Sequence, residues 1–550
     1  MNNSINTKRI SQVEIVFKIW FYLYVILSTC NLTYGKEIIS VCMWPMLLLG
    51  AGLVLYRLIH IKEYIHMPNL WILILFFASY LFSMVTNLQY ESKRGLVTMV
   101  FWVFYFGILY TFRENDSQER VRKEFELMAA VHIFYALVMT LISLGMMAVG
   151  YSSSYIDKNN GNYEVCSGFH DGRLWGAFQD PNLGAIVCCT AIALCIYFIW
   201  KRKEKILKAV LAVFILLFLL YIAFSDSRNG LVSIGTGMAA YAFLRGFYKE
   251  RRLKKQWINL ATAVLVGAVC FFIPEGIKYT YNYVVEQEQQ AQQTEQAKST
   301  QSQNSTEKKS GSTSSSSSQK KSQTTASQGK DTSGSNTSGS NTSGSSTSGS
   351  NTSGSSTSGS NTSGSSSGTS GNSTSGTSKK TTAAPVKRNY SLEGDISNRR
   401  FDLWKSAVEV ALSRPLTGTS FPGIVPYAKE NLPDTYIVNN DHWDYSTMDN
   451  EVLNVFVSQG FPGLLILAVL VAAVLKYIFS RIWKLDKAEF HRALILLICI
   501  IMLTASSMFQ ATMFYQNSTD ANMFWMFLGY LIFMLKDNPG KSDKKEQVKI

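Results

Sequence analysis

The chain has 550 residues, of which 47% are hydrophobic, 13% aromatic and only 16% charged. A charged fraction this far below the roughly 25% of an average soluble protein excludes a string of soluble globular domains. The mean hydropathy of +0.07 averages two unlike parts, because residues 286–388 contain no Phe, Tyr, Trp, Leu, Ile or Met. The composition therefore predicts an all-α polytopic membrane protein that carries one large disordered insert.

Twelve apolar segments each have close to the roughly 20 residues that a helix needs to cross a bilayer. They predict transmembrane helices at residues 13–33, 38–57, 69–88, 95–112, 125–150, 177–200, 206–224, 229–245, 257–274, 452–475, 493–512 and 521–535. The connections on one side of the membrane hold 30 Lys and Arg residues, and the short connections on the other side hold six. The positive-inside rule then makes both termini cytoplasmic. The net charge of +14 is therefore a topology signal, and no nucleic-acid partner is predicted.

The predicted spans divide the chain into helices 1–9 at 1–274, a large external loop at 275–451, helices 10–12 at 452–535, and a basic cytoplasmic tail at 536–550. Within the loop, the Ser/Thr/Gly-rich residues 286–388 cannot bury enough apolar surface to become ordered. Residues 389–450 regain Tyr, Trp and Leu and predict a compact segment with short helices. The insert is a tolerated insertion, a tether through a cell wall or a glycosylated surface, and we expect no catalysis there.

Seven of the eight cysteines lie in predicted spans, and only Cys166 lies in an outside loop. No Cys-x-x-Cys pair and no His/Cys metal spacing is evident, so we predict no disulfide framework, no metal site and no cofactor. The first apolar segment is too long for a signal peptide and is not followed by a cleavage site.

The connection between spans seven and eight is FSDSRNG at 224–230, which is too short to form a loop. Asp226 and Arg228 are therefore expected at the outer edge of the bilayer, where an ionisable residue is a candidate functional residue. A guanidinium at this depth can hold a phosphate through two contacts. The alternative is an Asp226–Arg228 pair that only stabilises a tight helical hairpin.

The segment GRLWGAFQDPNLGA at 172–185 leads into span six. Pro181 fits the first turn of a helix, and Asp180 is well placed to cap it. Capping and substrate binding are therefore the two interpretations of Asp180 and Asn182. Arg173 is either an anchor for lipid headgroups or a substrate contact.

After the insert, an amphipathic helix near the membrane surface is predicted at 399–413, because apolar residues recur at three- and four-residue spacing. These residues are Phe401, Trp404, Ala407, Val408 and Ala411. Pro415 ends the helix, and Thr417–Gly418–Thr419 turns the chain. Asp449 comes just before span ten, where it is either an N-cap or a functional carboxylate, and a break is expected at Gly460–Gly463.

These segments resemble, in their order, the O-antigen ligase/polymerase superfamily of bacterial membrane glycosyltransferases. GAFQDPNLGA at 176–185 is similar to that family's entry to a middle span, and SDSRNG at 225–230 to its Ser-Arg element. Residues 400–420 and 449–465 resemble its Arg-x-x-x-Trp helix, Gly turn and closing His-Asn … Gly-x-x-Gly element. The resemblance covers roughly 170–535 apart from the insert, and the first five spans match only in number and character.

The resemblance implies metal-independent transfer of a glycan from a polyprenyl diphosphate to an acceptor hydroxyl, at the outer face of the bacterial cytoplasmic membrane. Arg228 and Arg400 match the family's arginines and would hold the diphosphate, while Trp404 and Asn450 join Arg173, Asp180 and Asn182 as substrate-binding candidates. The implied partners are the lipid-linked donor, its acceptor and membrane lipids, with other polysaccharide-assembly proteins as further candidates.

The chain departs from the ligase pattern where ligases usually have His before Asn, because it has Asp449–Asn450 there. Either Asp449 is the catalytic base, or His442 reaches in from the loop, or the reaction needs no base. The missing His favours a polymerase of lipid-linked repeat units over a ligase or a protein oligosaccharyltransferase. Arg414, near the end of the same helix as Arg400, is expected to tolerate alanine.

A transporter or flippase is the main alternative outside the enzymes, because twelve spans with both termini inside also suit a transporter. Such proteins place ionisable or helix-breaking residues near the membrane midplane and have repeat symmetry between halves. Spans one to nine are predicted to hold almost no midplane charge, and the long external loop comes late in the chain. An enzyme is therefore favoured.

Overall fold

The computed structural model describes residues 2–90, 93–157, 163–307, 384–387, 399–440 and 444–536. The chain forms one compact unit from Met1–Gln290 with Thr381–Ile550, and a second from Ala291–Lys380. Of the second unit the structure describes residues 291–307, which are the end of a long helix.

The described residues form α-helices that we number in chain order. They are α1 (Asn2–Ser28), α2 (Glu37–Ile59), α3 (Leu70–Thr86), α4 (Lys93–Phe104), α5 (Gln118–Ala148), α6 (Pro181–Lys201), α7 (Lys205–Ser225), α8 (Arg228–Lys249), α9 (Leu253–Glu307), α10 (Arg400–Ser413), α11 (Ile424–Asn431), α12 (Glu451–Arg481), α13 (Lys487–Ser507) and α14 (Thr519–Met534). Each predicted span falls on one of these helices. The two short helices α10 and α11 lie in the predicted external loop.

In the part of the chain that the structure describes, eight helical segments are long and apolar enough to cross a membrane, so the chain is a multi-pass membrane protein. They are Arg9–Ser28, Glu37–Ile59, Gln118–Ala148, Pro181–Lys201, Lys205–Ser225, Lys254–Glu295, Glu451–Lys484 and Lys487–Ser507. The apolar helix α3 is shorter, at 17 residues. Helices α4, α8 and α14 also coincide with predicted spans, but each is shorter or less apolar than the eight segments above. The count of twelve and the orientation therefore stay predictions.

Helix α12 is broken inside the membrane-spanning segment, where the sequence predicts a break. Gly460 has φ 66° and ψ −162°, a conformation that only glycine adopts easily. The break frees the carbonyl groups of Val457 and Ser458. The Val457 carbonyl accepts a hydrogen bond from Thr419 N at 2.9 Å, and the Ser458 carbonyl accepts one from Ser420 N at 3.0 Å. Backbone groups freed within a membrane must find such partners. The predicted turn at 417–419 is therefore held against α12.

The fold is mostly helical, as predicted, but residues in the outside loop at 151–174 form a three-stranded antiparallel sheet. Its strands are β1 (Ser152–Asp157), β2 (Tyr163–His170) and β3 (Arg173–Gly176), in the order β1-β2-β3. Asp171 and Gly172 both have positive φ, of 49° and 68°, as a two-residue hairpin turn requires. The Asp-Gly pair was the sequence signal for this hairpin, and the sequence analysis missed it.

The two ends of the predicted disordered insert are ordered. Helix α9 continues to Glu307, so residues 286–307 are helical rather than disordered. At the other end, the Asn282 side chain accepts from Val386 N at 2.8 Å and donates to Val386 O at 3.0 Å. Val386 is buried and belongs to the first unit of the fold. The remainder of the predicted insert lies outside the described residues.

A group of buried charges lies at the start of α5, and we call it the paired cluster. It consists of Glu14, Lys18, Arg57, Arg113, Asp116, Arg120 and Glu124. Lys18 Nζ lies 2.6 Å from Glu124 Oε1, and Arg57 Nη2 lies 2.7 Å from Glu14 Oε1. Glu14 and Lys18 lie near one end of predicted span one at 13–33, so the expectation of almost no midplane charge in spans one to nine stays a prediction. Lys18 is one of the 30 basic residues that the sequence assigns to the cytoplasmic side, and the structure places it as a buried partner of Glu124 on α5.

Candidate functional site

Four helices begin beside the end of α13, and each start except that of α10 is capped by a polar side chain. Asp180 Oδ1 accepts from the backbone N–H groups of Asn182 (2.7 Å) and Leu183 (3.2 Å) at the start of α6. Ser227 caps α8, and Asn450 caps α12 through Leu453 N at 3.1 Å. The capping interpretation is confirmed for Asp180, whereas at α12 the cap is Asn450 rather than Asp449. We call the starts of α6, α8, α10 and α12, together with residues 506–510, the helix-start site.

The connection SDSRNG lies directly against the segment that leads into α6. Ser227 Oγ donates a hydrogen bond to Asn182 Oδ1 at 2.8 Å. Arg173, in β3, donates through Nε to the carbonyl of Ser225 at 2.9 Å. Two residues predicted to bind substrate, Arg173 and Asn182, are thus brought to the Ser-Arg element, although they are far from it in sequence.

The end of α13 ties the other helix starts together through residues that the sequence analysis did not single out. Asn229 Nδ2 donates to Ser506 Oγ at 2.9 Å, which joins α8 to α13. Gln510 Nε2 donates to Asp180 Oδ1 at 3.2 Å. Asn450 Nδ2 donates to the carbonyl of Met508 at 3.2 Å. Residues 506–510 are therefore the segment that the starts of α6, α8 and α12 contact in common.

Arg400 and Asp449 meet beside residues 506–510, although they are 49 positions apart in the sequence. Arg400 Nε lies 3.6 Å from Asp449 Oδ2, which makes an ion pair that is longer than a hydrogen bond. The guanidinium carbon lies 5.9 Å from the ring centre of Phe509. The two side chains keep 24% and 36% of their surface exposed, so a ligand can reach both.

Asp449 has the electrostatic surroundings of a carboxylate that can accept a proton. Burial raises its pKa above the ordinary value, Arg400 opposes this shift, and the nearby Asp180 adds to it. Its backbone is left-handed, with φ 47°, and Thr447 Oγ1 donates to its Oδ1 at 3.3 Å. A raised pKa brings a carboxyl group closer to the pH at which a general base works best.

Arg228 is the first residue of α8, and its side chain is exposed. Its neighbour Asp226 has φ 48° and accepts a hydrogen bond from Lys278 Nζ at 2.7 Å. The cation partner on α9 was not suggested by the sequence. Asp226 therefore links the α7–α8 connection to α9, and the exposed side chain of Arg228 begins α8 at the end of the same connection.

The other predicted contributions from the external loop are placed differently from expectation. Trp404 Nε1 donates to the carbonyl of Met448 at 3.0 Å, so this side chain holds the segment that carries Asp449. The buried side of α10 is formed by Leu403, Ala407, Val410 and Ala411, while Phe401 and Val408 are exposed. His442 lies outside the described residues.

Arg414 is not the neutral position that the sequence suggested. Its Nη1 donates to Asn87 Oδ1 at 2.7 Å, and its guanidinium lies 5.0 Å from the ring centre of Tyr427. These contacts tie the end of α10 to α3. Lys405, which is on α10 with 80% of its side chain exposed, is a better control.

Two buried acids near the site were also missed. Glu451 Oε1 accepts from Phe514 N at 2.8 Å and so holds the chain that follows residues 506–510. Asp520, in the first turn of α14, is 2% exposed and lies close enough to Asp180 for their charges to interact. Each of the two acids precedes an apolar run, which is the same signal that drew attention to Asp449.

These features define a class of protein: a multi-pass helical membrane protein with an open, charged site where several helices begin. Residues 360–468 match the protein-family model described as O-antigen ligase. The described part of the match includes α10, α11 and the first half of α12, and therefore both Arg400 and Asp449. This match confirms the resemblance and supports glycan transfer of the O-antigen ligase/polymerase type. A search of curated proteins found no significant match.

Proposed function

We propose that this protein polymerises oligosaccharide repeat units carried on polyprenyl diphosphate, at the outer face of the bacterial cytoplasmic membrane. The observation that carries the proposal is the Arg400–Asp449 pair, which lies within the family match. It places a fixed cation 3.6 Å from a carboxylate with a raised pKa. Transfer from a diphosphate needs a cation for the leaving group and an acceptor for the hydroxyl proton.

The diphosphate is held in this proposal by arginines and helix starts rather than by a metal ion. The N-terminal end of a helix carries a partial positive charge and unpaired N–H groups that favour phosphate. Arg400 begins α10 and Arg228 begins α8, so each guanidinium adds a full charge to such an end. A guanidinium also offers two parallel donors to phosphate oxygens.

In the reaction, an oxygen of the acceptor hydroxyl forms a bond to the anomeric carbon of the donor glycan. The bond between that carbon and the diphosphate oxygen breaks, and the electron pair leaves with the diphosphate. Asp449 takes the proton of the hydroxyl, and Arg228 and Arg400 neutralise the charge that develops on the leaving group. His442 is the alternative base.

The prenyl chain of the donor has a groove beside the site. Between α7 and α9 lies an apolar groove of about 890 Å³, whose lining includes Phe224, Phe272 and Tyr281. Lys278, which directly follows the lining residue Ile277, pairs with Asp226 in the connection before α8. A prenyl chain in this groove would enter beside the Ser-Arg element, with its diphosphate directed toward the helix-start site.

A ligase is the second candidate, because the matching family model is described as O-antigen ligase. A polymerase differs from a ligase in its acceptor, which is another lipid-linked repeat unit. Purified protein supplied only with lipid-linked repeat units should therefore produce a ladder of longer lipid-linked glycans. Products that form only when a separate lipid or protein acceptor is added would instead establish a ligase or an oligosaccharyltransferase.

A further inference from the structure

A cluster of metal-ligand side chains lies on the small sheet, away from the helix-start site. Glu164 and Cys166 are alternate residues of β2, and His170 follows after an irregularity of the strand at Gly168–Phe169. One donor atom from each lies within 4.8 Å of the others. Gly168 comes between Cys166 and His170, has φ 79°, and packs closely against the backbone of Tyr151. The sequence predicts no metal site here, because these residues do not follow a familiar ligand spacing.

The imidazole of His170 is oriented as it is in many metal sites. Ser152 pairs with Gly168 across the sheet, and its Oγ lies 3.4 Å from His170 Nδ1. The other ring nitrogen, Nε2, lies 3.5 Å from Asp171 Oδ2 and 3.8 Å from Glu164 Oε1. A metal-bound histidine commonly engages its second ring nitrogen in this way. Two carboxylate oxygens and a ring nitrogen that face each other attract a cation.

We propose that Glu164, Cys166, His170 and Asp171 bind one divalent transition-metal ion, for which Zn²⁺ is the best fit. A thiolate, an imidazole and carboxylates are the donors that zinc takes in proteins. Tetrahedral zinc has bonds of roughly 2.0–2.3 Å, so the donors of Glu164, Cys166 and His170 must move closer together and Asp171 must turn toward them from beside His170. The ligands of hard cations such as Mg²⁺ are oxygen atoms, and the thiol argues against them.

The position of the site gives the metal a structural effect. His170 pairs with Arg173 across the hairpin turn that contains Asp171. Arg173 in turn donates to the carbonyl of Ser225 in the connection before α8. A bound metal would therefore fix the hairpin end that places Arg173 beside the helix-start site. This consequence rests on the proposed function, whereas metal binding itself does not.

Metal binding is tested on the full-length protein in detergent, purified with a histidine-free tag and stripped with a chelator. Zn²⁺ should bind at about one equivalent per chain by elemental analysis. Co²⁺ should give the near-ultraviolet absorption of a cobalt–thiolate bond, and Cys166→Ser should abolish that band. His170→Gln should weaken Zn²⁺ binding at least tenfold. The matched controls His66→Gln, in an exposed pair with Glu114, and Cys270→Ser should bind like wild type.

Two results would overturn the proposal. One is the absence of stoichiometric Zn²⁺ binding by the wild-type protein. The other is equal binding by wild type, Cys166→Ser and His170→Gln, which would indicate an adventitious ion only. Glu164→Gln provides a milder variant if Cys166→Ser elutes as an aggregate, and it should weaken binding in a monodisperse sample. Because the readouts are metal content and absorption, they stand even if the protein transfers no glycan.

Discussion

The two charged regions of this membrane protein differ in how completely their charges are paired. In the paired cluster, at the start of α5, Lys18 and Glu124 are almost fully buried and 2.6 Å apart. At the helix-start site, Arg400 and Asp449 are 3.6 Å apart and partly exposed. Helix α5 connects the two regions. It has 31 residues and is about 46 Å long, and the end opposite the paired cluster packs near β3 and the start of α6.

The difference separates charges that stabilise the fold from charges that are available to a ligand. Buried ions need close partners, because removing one partner leaves an uncompensated charge in a medium of low polarity. The paired cluster meets this need through several arginines around Glu14. The looser pair at the helix-start site leaves part of the Arg400 charge for an added anion. We therefore expect variants of the first region to lose stability and variants of the second to lose rate.

The largest effect is expected in the paired cluster. Lys18→Met leaves the Glu124 carboxylate buried without its ammonium partner, which should lower the free energy of unfolding by about 3–5 kcal/mol. The measurement is the thermal unfolding midpoint of the purified protein, together with its abundance in membranes. The double variant Lys18→Met, Glu124→Gln should recover part of the loss, because it removes both charges. A single variant as stable as wild type would show that this pair is not structural.

The next effect is a loss of rate at the helix-start site. Arg400→Ala and Arg228→Ala should each slow polymer formation by a factor on the order of 10² to 10³, with membrane abundance unchanged. Lysine should rescue poorly, because an ammonium does not reproduce the planar two-point contact. Lys405→Ala, on the exposed face of α10, is the control and should keep the wild-type rate. Near wild-type rates for both alanine variants would refute the phosphate-holding role, and Arg228 would then only stabilise the helical hairpin.

The pH dependence of the rate tests Asp449. A base must be ionised, so the rate should fall as the pH drops through the pKa of Asp449, which burial raises above its ordinary value. Asp449→Asn should abolish this acid limb. Arg400→Gln should move the limb to higher pH, because Arg400 lowers that pKa. An unchanged acid limb in Asp449→Asn would point to His442 or to a reaction without a base.

A small effect is expected from the insert. Deletion of 308–380 should leave polymer length near that of wild type, because the predicted site residues lie outside it. The segment Ala384–Lys387 must stay, since Val386 is hydrogen-bonded to Asn282 on α9. Asn282→Ala is the contrasting variant and should lower stability by about 1 kcal/mol. Complete loss of polymer by the deletion variant, with the protein still in the membrane, would contradict this prediction.

The last prediction concerns which end faces outward. Single cysteines at Lys405, Lys203 and Lys254, in a background without Cys166, can be treated in intact cells with a thiol reagent that does not cross membranes. We expect labelling at 405 only. The side chain of Ser227 is buried and is therefore unsuitable as a reporter. Labelling at 203 or 254 but not at 405 would invert the proposed orientation.

The sequence by itself determined the elements whose signals are local. The lengths of the apolar runs were enough to predict the helices found at all twelve predicted spans, because a helix that crosses a bilayer needs about 20 consecutive apolar residues. The Asp180–Pro181 cap and the Gly460 break were also predictable, since each depends on the conformation of a few adjacent residues. Three short motifs in order were enough to indicate the family that the match at 360–468 confirms.

Only the tertiary structure decided which charges meet. Lys18 and Glu124 are 106 positions apart, and no periodicity predicts that they pair. Arg414 contacts α3, Trp404 holds Met448, and Gln510 joins Asp180 to the end of α13, all through long-range packing. The grouping of Glu164, Cys166 and His170 likewise needed the sheet, because alternate residues share a face only once a strand has formed. Local propensity fixes where helices begin, and the packing of distant helices determines what their first residues do.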